Sequence, residues 1–532
     1  MNTMQRILFA VIIGIVLVGL GVYFYSNSGQ RNKIGDFSTA TNNYSLAKQS
    51  EIVTLANGQS YDVAASIVTK EINGQKVKML AYNGSIPGPF IKVPQGAEVT
   101  LNFKNDTDVD STIHSHGVRV ENKFDGVPDV TQKEVKPGGS FTYKLKFPDA
   151  GMFWYHPHIR EDYAQELGLY GNFLVTPTTP DYWAEVDREE ALFLDDILIE
   201  NGQITSFDKT RADHTLMGRF GNTMLVNGSD TYNLSIKQGE RVRFYITNAA
   251  NTRVFNFAIP NTRMRLVGAD NGKYEREEWV DSVTISPSER AVVEIWFDKN
   301  GEYQIENVTP EKTYRLGNIA VQQNPVTTSY LLVPRINQDF IDSLNPLRPA
   351  FAKTVDKKLE LTLDMMGSES STTNESSGGH MMGNGQMMGN DNPGMQMGDV
   401  KKIEWEDDMG MMNLNSTTDT LKWRMVDTAS KMVNMDIDWQ FKQGDVVKIE
   451  IFNDDKSMHP MQHPMHIHGQ RFLVLSTNGV KNDNLVWKDT TLIQTGDRVE
   501  LLVQMDNPGD WVIHCHIPEH MEAGMMSQFK VI

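Results

Sequence analysis

The sequence predicts an all-β chain of three Greek-key β-sandwich domains that follow an N-terminal apolar segment. Three observations predict this class. Two blocks of sequence each occur three times, the residues within them alternate between apolar and polar, and turns containing glycine separate the strands. The length of 532 residues is too great for one core and fits several domains of roughly 100–200 residues each.

The chain begins with an apolar run from Ile7 to Tyr25, which follows Arg6 and precedes a polar stretch. A run of about 19 apolar residues is long enough to cross a bilayer, and no small-residue cleavage site follows it. We therefore expect a signal anchor over residues 1–30, a linker over 31–50, and an extracytoplasmic location, in the periplasm or at the cell surface. The single cysteine, Cys515, excludes an internal disulfide.

The first repeated block is a glycine turn followed by an alternating strand that closes on asparagine. Its three copies are QGAEVTLNFKN from Gln95, QGERVRFYITN from Gln238 and QGDVVKIEIFN from Gln443. The second block is a pair of strands around a turn. Its three copies start at Pro137, Pro287 and Thr495. Each domain therefore contains one copy of both blocks.

The positions of these blocks place three β-domains at residues 51–180, 181–325 and 357–532, with a linker over 326–356. The third domain contains a methionine-rich insertion at about 365–412. The central part of this insertion, rich in Gly, Ser, Asn and Met, has no apolar period. We expect it to be a flexible segment.

The charge of the chain excludes one class of partner. The formal net charge is -18 at pH 7. An acidic surface repels the phosphates of nucleic acids and attracts cations, so we exclude nucleic acid partners.

Ten of the 13 histidines stand in four short motifs of the first and third domains. The motifs are HSHG (His114, His116), HPH (His156, His158), HPMHIHG (His463, His466, His468) and HCHIPEH (His514, His516, His520). Side chains at i and i+2 of a strand share one face about 7 Å apart, so such a pair can hold neighbouring metal ions. The middle domain has no histidine at the matching places, and we expect it to be structural.

Cys515 stands between His514 and His516 on one predicted strand. Because alternate side chains point to opposite faces, the sulfur must face away from the two rings. A thiolate, two imidazoles and a weak thioether form the trigonal ligand set of a blue copper centre. The candidates for this set are His463, Cys515, His520 and Met525. The other eight histidines can hold several ions between the end domains, and zinc fits less well because it prefers closed four-ligand sites.

In order and spacing, these motifs resemble those of the three-domain multicopper oxidases, the laccase-like family of cupredoxin repeats, from about residue 50 to the C-terminus. The resemblance implies four copper ions and a reaction in which substrate electrons reduce dioxygen to water. It implies a type 2 copper held by His114 and His466. The two type 3 coppers are then held by His116, His156 and His516 and by His158, His468 and His514.

The resemblance also implies carboxylates that handle protons. Asp125 resembles the family's carboxylate beside the cluster, although an aspartate that forms a turn before Gly126 explains the residue equally well. Many relatives place a carboxylate directly after the second type 1 histidine. This chain has Met521 there and Glu522 one residue later. The catalytic candidates are Asp125, Glu522 and, for electron transfer, Cys515.

The 28 methionines, dense from Met365 to Met412, indicate the substrate. A thioether is a soft ligand suited to Cu(I). The segment LDMM resembles the one that bacterial copper-tolerance cuprous oxidases use beside the type 1 site, although those relatives carry an aspartate where this chain has His459. The candidate Cu(I) site comprises Asp364, Met365, Met366, Met458, His459 and Met461. A low-complexity loop without a metal role is the alternative interpretation of the methionine-rich insertion.

Together these features predict a membrane-anchored, extracytoplasmic multicopper oxidase that acts in copper tolerance. It is expected to oxidise Cu(I), with Fe(II) and phenols as further donors and dioxygen as acceptor. Two alternatives stay open: a laccase for organic phenols and amines, and a methionine-rich protein that sequesters copper with minor turnover. Dioxygen uptake well beyond one turnover distinguishes an enzyme from the sequestering protein.

Overall fold

Strands form most of the secondary structure, as the alternating sequence pattern predicts. The computed structural model describes residue 41 and residues 44–326, 333–365 and 401–532. The predicted anchor over residues 1–30 lies outside these residues, as do Met366 and the part of the methionine-rich insertion that follows it up to residue 400. Among the described residues, no helix is both long and apolar enough to cross a membrane.

The first sandwich, residues 52–176, packs a five-stranded sheet on a four-stranded sheet. Its strands are β1 (Ile52–Thr54), β2 (Ser60–Ile72), β3 (Gln75–Tyr82), β4 (Phe90–Pro94), β5 (Glu98–Asp106), β6 (His114–His116), β7 (Ser140–Lys146), β8 (Gly151–His156) and β9 (Gly171–Thr176). The sheet orders are β1-β4-β9-β8-β6 and β3-β2-β5-β7. In β5, Val99, Leu101 and Phe103 are buried while the polar residues between them are more exposed, which is the period of two that buries one sheet face.

The middle sandwich, residues 188–322, packs a six-stranded sheet on a five-stranded sheet. Its strands are β10 (Arg188–Ile197), β11 (Ile199–Glu200), β12 (Gln203–Ile204), β13 (Thr223–Val226), β14 (Tyr232–Lys237), β15 (Arg241–Asn248), β16 (Phe255–Ala258), β17 (Met264–Ala269), β18 (Gly272–Val280), β19 (Val283–Ile285), β20 (Arg290–Trp296), β21 (Gly301–Val308) and β22 (Thr313–Gln322). The main sheet orders are β13-β10-β15-β20-β17-β18 and β14-β22-β21-β16-β19. Strand β15 is buried along its whole length. Val242, Phe244 and Ile246 lie in the core of its own sandwich, and Tyr245 packs with Met152 and Leu174 of the first sandwich.

The third sandwich, residues 357–531, repeats this arrangement with six and five strands. Its strands are β23 (Lys357–Met365), β24 (Leu421–Asp427), β25 (Trp439–Phe441), β26 (Val446–Asn453), β27 (His463–Ile467), β28 (Arg471–Thr477), β29 (Val480–Lys481), β30 (Thr490–Ile493), β31 (Arg498–Gln504), β32 (Gly509–Cys515) and β33 (Met526–Val531). The sheet orders are β24-β23-β26-β31-β28-β29 and β25-β33-β32-β27-β30. Cys515 and Met525 lie in the apolar core of this sandwich with Trp423 and Trp511.

Helices are confined to short connections in the described chain. They are α1 (Glu161–Ala164), α2 (Gln338–Leu344), α3 (Gly410–Asn415) and α4 (Pro518–Glu522), with 3-10 turns at Asn122–Phe124, Arg348–Ala352 and Asn434–Asp436. The predicted all-β class with three sandwiches is therefore confirmed.

The histidine motifs of both end sandwiches lie on paired neighbouring strands. In the first sandwich β6 pairs with β8, and His114 stands opposite His156. In the third, β27 pairs with β32, and His466 stands opposite His514. The same sheet register therefore brings two motifs together in each end sandwich.

Candidate metal centre

Eight histidines of the first and third sandwiches meet in one buried cluster, hereafter the histidine cluster. Each of them is at most 6% exposed. Their ring nitrogens form three groups in which the atoms lie within 4.8 Å of one another. The groups are His114, His116 and His466; His116, His156 and His516; and His158, His468 and His514. Every group draws on both end sandwiches, so the cluster depends on the packing of one sandwich against the other.

Hydrogen bonds leave one nitrogen of these rings available to a metal ion. His114 donates its Nδ1–H to the carbonyl of Asp125 at 2.7 Å, and His466 donates to the carbonyl of Asp489 at 2.8 Å. His156 donates in the same way to the carbonyl of the next residue. The Nε2 atoms of these three rings have no hydrogen-bond partner among the described residues. A buried lone pair of this kind is unfavourable unless a metal ion or water meets it.

A close pair of ring nitrogens gives the strongest indication of a cation. His468 donates its Nδ1–H to the carboxylate of Asp125 and His514 donates to the carbonyl of Cys515, each at 2.8 Å. The Nε2 atoms of His468 and His514 therefore both carry lone pairs, and they lie 2.9 Å apart. Two lone pairs at this distance repel each other, and a shared cation removes the repulsion. The donor set thus fits copper, which imidazole ligands suit.

Burial keeps these rings in the neutral form that binds metals. It lowers the pKa of His514 to about 4. Burial, reinforced by neighbouring rings, also lowers the pKa of six others well below the usual value: His116, His156, His158, His466, His468 and His516. These rings are therefore able to bind metal at neutral pH.

The single cysteine lies in a separate buried group. The Sγ atom of Cys515, at the end of β32, is 3.6 Å from Nδ1 of His463 and 3.9 Å from Nδ1 of His520 in α4. The two Nδ1 atoms are 3.3 Å apart. Met525 is also fully buried, and its backbone bonds to that of Cys515 and of His520. Burial raises the pKa of the Cys515 thiol, so the thiolate form requires a bound cation.

Consecutive residues at the end of β32 contribute to different groups. Cys515 belongs, with His463 and His520, to what is hereafter called the sulfur group, while His514 and His516 belong to two groups of the histidine cluster. Alternate side chains of an extended chain point to opposite faces. The sulfur group and the histidine cluster are therefore joined by the peptide bonds on either side of Cys515.

Asp125 lies against the histidine cluster, directly after the 3-10 turn Asn122–Phe124. It is 1% exposed. Its Oδ2 accepts the hydrogen bond from His468, and its Oδ1 lies 3.3 Å from Nδ1 of His114. That Oδ1 has no hydrogen-bond partner among the described residues. Asp125 therefore combines the turn position and the position beside the cluster, the two interpretations that its sequence context allows.

A second aspartate, Asp489, contacts the cluster although no sequence motif marks it. Its carbonyl accepts the Nδ1–H of His466, and its Oδ1 lies 2.9 Å from Nε2 of His116. Asp489 is fully buried and forms an ion pair with Arg290 of the middle sandwich. Local sequence gives no signal for this role, since aspartate before a strand is common in turns.

Glu161, a carboxylate outside the predicted set, contacts the histidine cluster. The Glu161 carboxylate lies 3.4 Å from Nδ1 of His158 and 3.8 Å from Nδ1 of His156, and both of its oxygens lack a hydrogen-bond partner in the described chain. Burial, with Glu522 adding to the effect, raises the pKa of Glu161. Burial and the neighbouring Asp162 raise the pKa of Glu522 to about 7. The acidic stretch REDYAQE that follows HPH is the only sequence signal for Glu161.

The candidates for a Cu(I) site have different surroundings, and Met366 lies outside the described residues. Asp364 forms an ion pair with Arg424. Met461 is fully buried, whereas Met458 is 47% exposed. Met365 is the last residue of β23. Among these candidates, His459 contacts a residue outside the predicted set, Met217.

His459 lies against a methionine of the middle sandwich. Its Nε2 is 2.8 Å from Sδ of Met217. The backbone N–H of Met217 donates to the side chain of Asn413 in α3, and Asn413 in turn donates to Asp407. His459 is also close enough to His463 to add to the lowering of its pKa, which burial dominates. The pair of Met217 and His459 therefore lies between the sulfur group and α3.

Comparison with protein families finds one match for each sandwich. Three models, all described as multicopper oxidase, match residues 65–180, 190–333 and 406–532. Together they span most of the described chain and include every histidine of the cluster.

Similar proteins extend over most of the chain. The chain is 26% identical to "Multicopper oxidase mco" of Staphylococcus aureus over 475 residues, which cover 87% of this chain and 86% of that protein. It is 23% identical to "Copper resistance protein A" of Escherichia coli over 591 residues, with 89% and 93% covered. A solved structure described as a multicopper oxidase from Campylobacter jejuni, "a metallo-oxidase", is 25% identical with a TM-score of 0.65, and 93% of this chain and 99% of that chain are covered.

Proposed function

The chain belongs to the multicopper oxidase family, and on that premise we propose that it couples the one-electron oxidation of four Cu(I) ions to the four-electron reduction of dioxygen, which takes up four protons and becomes two water molecules. It is an oxidoreductase whose cofactor is copper, with one type 1, one type 2 and two type 3 ions. Bound copper supplies the one-electron chemistry. The protein supplies binding, orientation and proton transfer.

The proposed copper ligands are residues of the sequence motifs whose donor atoms also lie close together in the structure. The proposed type 1 ligands are His463, Cys515, His520 and Met525. The proposed type 2 ligands are His114 and His466. The proposed type 3 ligands are His116, His156 and His516 for one ion and His158, His468 and His514 for the other. The observation that supports these sets is that each histidine triad, and the Cys515 group, has its donor atoms within 4.8 Å of one another.

Cys515 provides the proposed electron route, since peptide bonds join it directly to His514 and His516. Cys515→Ser removes the sulfur ligand with little change of volume. We expect this variant to lose the blue absorption and the oxidase activity while the histidine cluster still takes up copper, measured by visible absorption, dioxygen uptake and copper content. Full activity in Cys515→Ser contradicts the route.

Carboxylates on two sides of the cluster are proposed to handle protons. Asp125 contacts the cluster through His468 on one side, and Glu161 lies beside His158 on the other. Burial, with Glu522 adding to the effect, raises the pKa of Glu161, and Glu522 is proposed as the next group in that route. This arrangement replaces the carboxylate that relatives carry in the position of Met521.

The methionines near the sulfur group support Cu(I), a soft metal ion, as the substrate that donates electrons. Met217 and His459 offer a thioether and an imidazole side by side. On α3, Met411 is 82% exposed and Met412 is 51% exposed. Thioethers favour Cu(I) over harder ions. The names of two similar proteins, a copper resistance protein and a metallo-oxidase, agree with a metal ion as the electron donor.

The identity of the electron-donating substrate is tested by comparing kcat/KM for Cu(I), Fe(II) and a phenol on one preparation of the protein. We expect His459→Ala and Met217→Leu each to lower kcat/KM for Cu(I) by about tenfold, the effect of ~1.4 kcal/mol of lost interaction, without a matching loss for the phenol. Met432→Leu, which changes an exposed methionine in another turn, is the matched control. Equal losses for Cu(I) and the phenol contradict a Cu(I) site at this pair.

A deletion tests the methionine-rich insertion separately. Removal of residues 367–400 is expected to lower Cu(I) turnover more than phenol turnover. A higher kcat/KM for phenols than for Cu(I) in the wild type favours the laccase alternative. Dioxygen uptake that stops after one turnover favours the sequestering alternative.

A further inference from the structure

Arg290, the first residue of β20 in the middle sandwich, is fully buried where the three sandwiches meet. It donates from Nε to the carbonyl of Met152 in the first sandwich and from Nη1 to the carbonyl of Ser288 in its own, each at 2.9 Å. It also donates from Nη1 to Oδ1 of Asp489 in the third sandwich at 2.7 Å and from Nη2 to Oδ2. Burial opposes the charge, but Asp270 and Asp489 raise the pKa of Arg290. Arg290 is therefore a charged residue in contact with all three sandwiches.

Asp489 extends this contact to two rings of the histidine cluster. Its Oδ1 accepts the Nε2–H of His116 at 2.9 Å, and its carbonyl accepts the Nδ1–H of His466 at 2.8 Å. His116 consequently presents Nδ1 to the cluster, and His466 presents Nε2. Both of these atoms are buried and lack a hydrogen-bond partner among the described residues. Asp489 thus determines which nitrogen each ring offers.

Gly117, directly after His116, leaves the space that the ion pair occupies. Its φ is +78°, a conformation that favours glycine. A Cβ atom at this position would lie 2.1 Å from Oδ2 of Asp489 and 3.1 Å from Nη2 of Arg290. Any larger residue at position 117 must therefore displace the carboxylate.

We infer that Arg290 is a positioning residue of the histidine cluster, because it fixes Asp489, which orients His116 and His466. The middle sandwich supplies no histidine to the cluster, yet through this arginine it sets the orientation of rings from both end sandwiches. Removal of such outer partners weakens metal binding by roughly 10–100-fold. The inference rests on the proposed assignment of His116 and His466 as copper ligands.

The test compares Arg290→Met with Arg265→Met in the full copper-loaded chain. Arg265 is also buried and ion-paired, but its partners are Glu277 and Glu294 of the middle sandwich. We expect Arg290→Met to change the EPR spectrum of type 2 copper and to retain that copper roughly 10–100-fold less tightly against a chelator. The blue type 1 absorption is expected to stay unchanged in both variants, and Arg265→Met is expected to keep the wild-type EPR spectrum.

Two further variants separate positioning from stability. The double variant Arg290→Met/Asp489→Asn has no unpaired buried charge, so it is expected to recover thermal stability relative to Arg290→Met. Its EPR change should persist, because without the arginine the residue at position 489 is no longer held against His116 and, through its carbonyl, against the type 2 ligand His466. Arg290→Lys keeps the charge without the two-pronged contact and is expected to show a smaller EPR change. If Arg290→Met does not fold, these two variants decide the question.

A wild-type EPR spectrum and wild-type copper retention in the folded Arg290 variants would overturn the inference. The same spectral change in Arg265→Met would also overturn it, because the effect would then follow from any lost ion pair of the middle sandwich. If the wild-type protein itself shows no type 2 signal, the proposed copper assignment fails instead. The two failures are therefore distinguishable.

Discussion

Asp125 and Asp489 occupy equivalent places in the two halves of the histidine cluster. The carbonyl of each accepts a hydrogen bond from the first histidine of the H-x-H motif in its own sandwich, and the carboxylate of each contacts the second histidine of the opposite motif. The partners are His114 and His468 for Asp125, and His466 and His116 for Asp489. The two aspartates therefore connect the end sandwiches in a crossed arrangement.

The two halves differ in the charge that faces each carboxylate. Asp489 forms a bidentate ion pair with Arg290. Asp125 pairs with no arginine or lysine in the described chain, and its Oδ1 has no hydrogen-bond partner there. Aspartates in equivalent positions of the two halves can therefore have different roles, depending on whether an arginine faces them. A neutralised aspartate holds the rings in place, while an aspartate with an open oxygen is suited to proton transfer.

The largest expected effect of this difference is on stability. Asp489→Ala removes the bidentate partner of the buried Arg290, which keeps only the 3.5 Å contact of its Nη1 with Asp270, and is expected to lower the free energy of unfolding by about 3–5 kcal/mol. Asp125→Ala leaves only neutral hydrogen-bonding groups unsatisfied, so about 1–3 kcal/mol is expected. Chemical unfolding of the copper-free proteins measures both values. Equal losses would show that the ion pair does not distinguish the two halves.

The next largest effect is expected on turnover. Here the greater loss is expected from substitution of Asp125 rather than of Asp489. Asp125→Asn keeps the side-chain shape but removes the proton-accepting carboxylate, so turnover is expected to fall about 10²-fold at unchanged copper content. Asp489→Asn is expected to lose activity only in proportion to the copper it loses. Dioxygen uptake normalised to bound copper tests both. A similar normalised loss in Asp489→Asn would mean that both aspartates handle protons.

The pH dependence of the stability of the copper-free protein tests the buried histidine rings of both halves. Burial, with neighbouring histidines adding to the effect, lowers the pKa of His116 and of His468, one from each sandwich, well below 6.5. The unfolded chain therefore binds more protons, so the copper-free protein should lose stability as pH falls below about 6.5. Replacement of His116 or His468 by Gln should reduce the slope of the free energy of unfolding against pH by up to ~1.4 kcal/mol per pH unit. Melting temperatures between pH 8 and pH 5 measure this, and unchanged slopes in both variants contradict it.

The smallest expected effect concerns a hydroxyl that only one half contains. Thr490 donates to Oδ1 of Asp489 at 3.0 Å. Thr490→Val is expected to lower the free energy of unfolding by about 1 kcal/mol, while Thr490→Ser, which retains the hydroxyl, should lose less. Thermal unfolding of the two variants provides the comparison. A greater loss in Thr490→Ser would assign the effect to the methyl group rather than to the hydrogen bond.

The comparison also shows where sequence-based prediction succeeds. The three repeats and the paired motifs predict the sandwiches, because strand alternation and glycine turns are local patterns. Asp125 is predictable because it follows an H-x-H motif closely in the chain. Glu161, by contrast, is marked only by an acidic stretch after HPH, and whether it or Glu522 contacts the cluster depends on how α1 and α4 pack.

Other residues of the sites come together from distant parts of the chain. Arg290 and Asp489 are 199 residues apart, and Met217 and His459 are 242 residues apart. Neither Arg290 nor Met217 lies in a histidine motif. Their contacts therefore depend on the packing of the middle sandwich against the others, which a single sequence does not encode in any local period.

The order of residues alone determined that Cys515 and its two neighbouring histidines point to different faces, because that alternation follows from the covalent geometry of an extended strand. The tertiary structure decided which aspartate is neutralised by an arginine and which keeps an open oxygen. That choice depends on which side chain of the middle sandwich reaches the buried interface. Only the packing of the three sandwiches brings the two opposite charges within hydrogen-bonding distance.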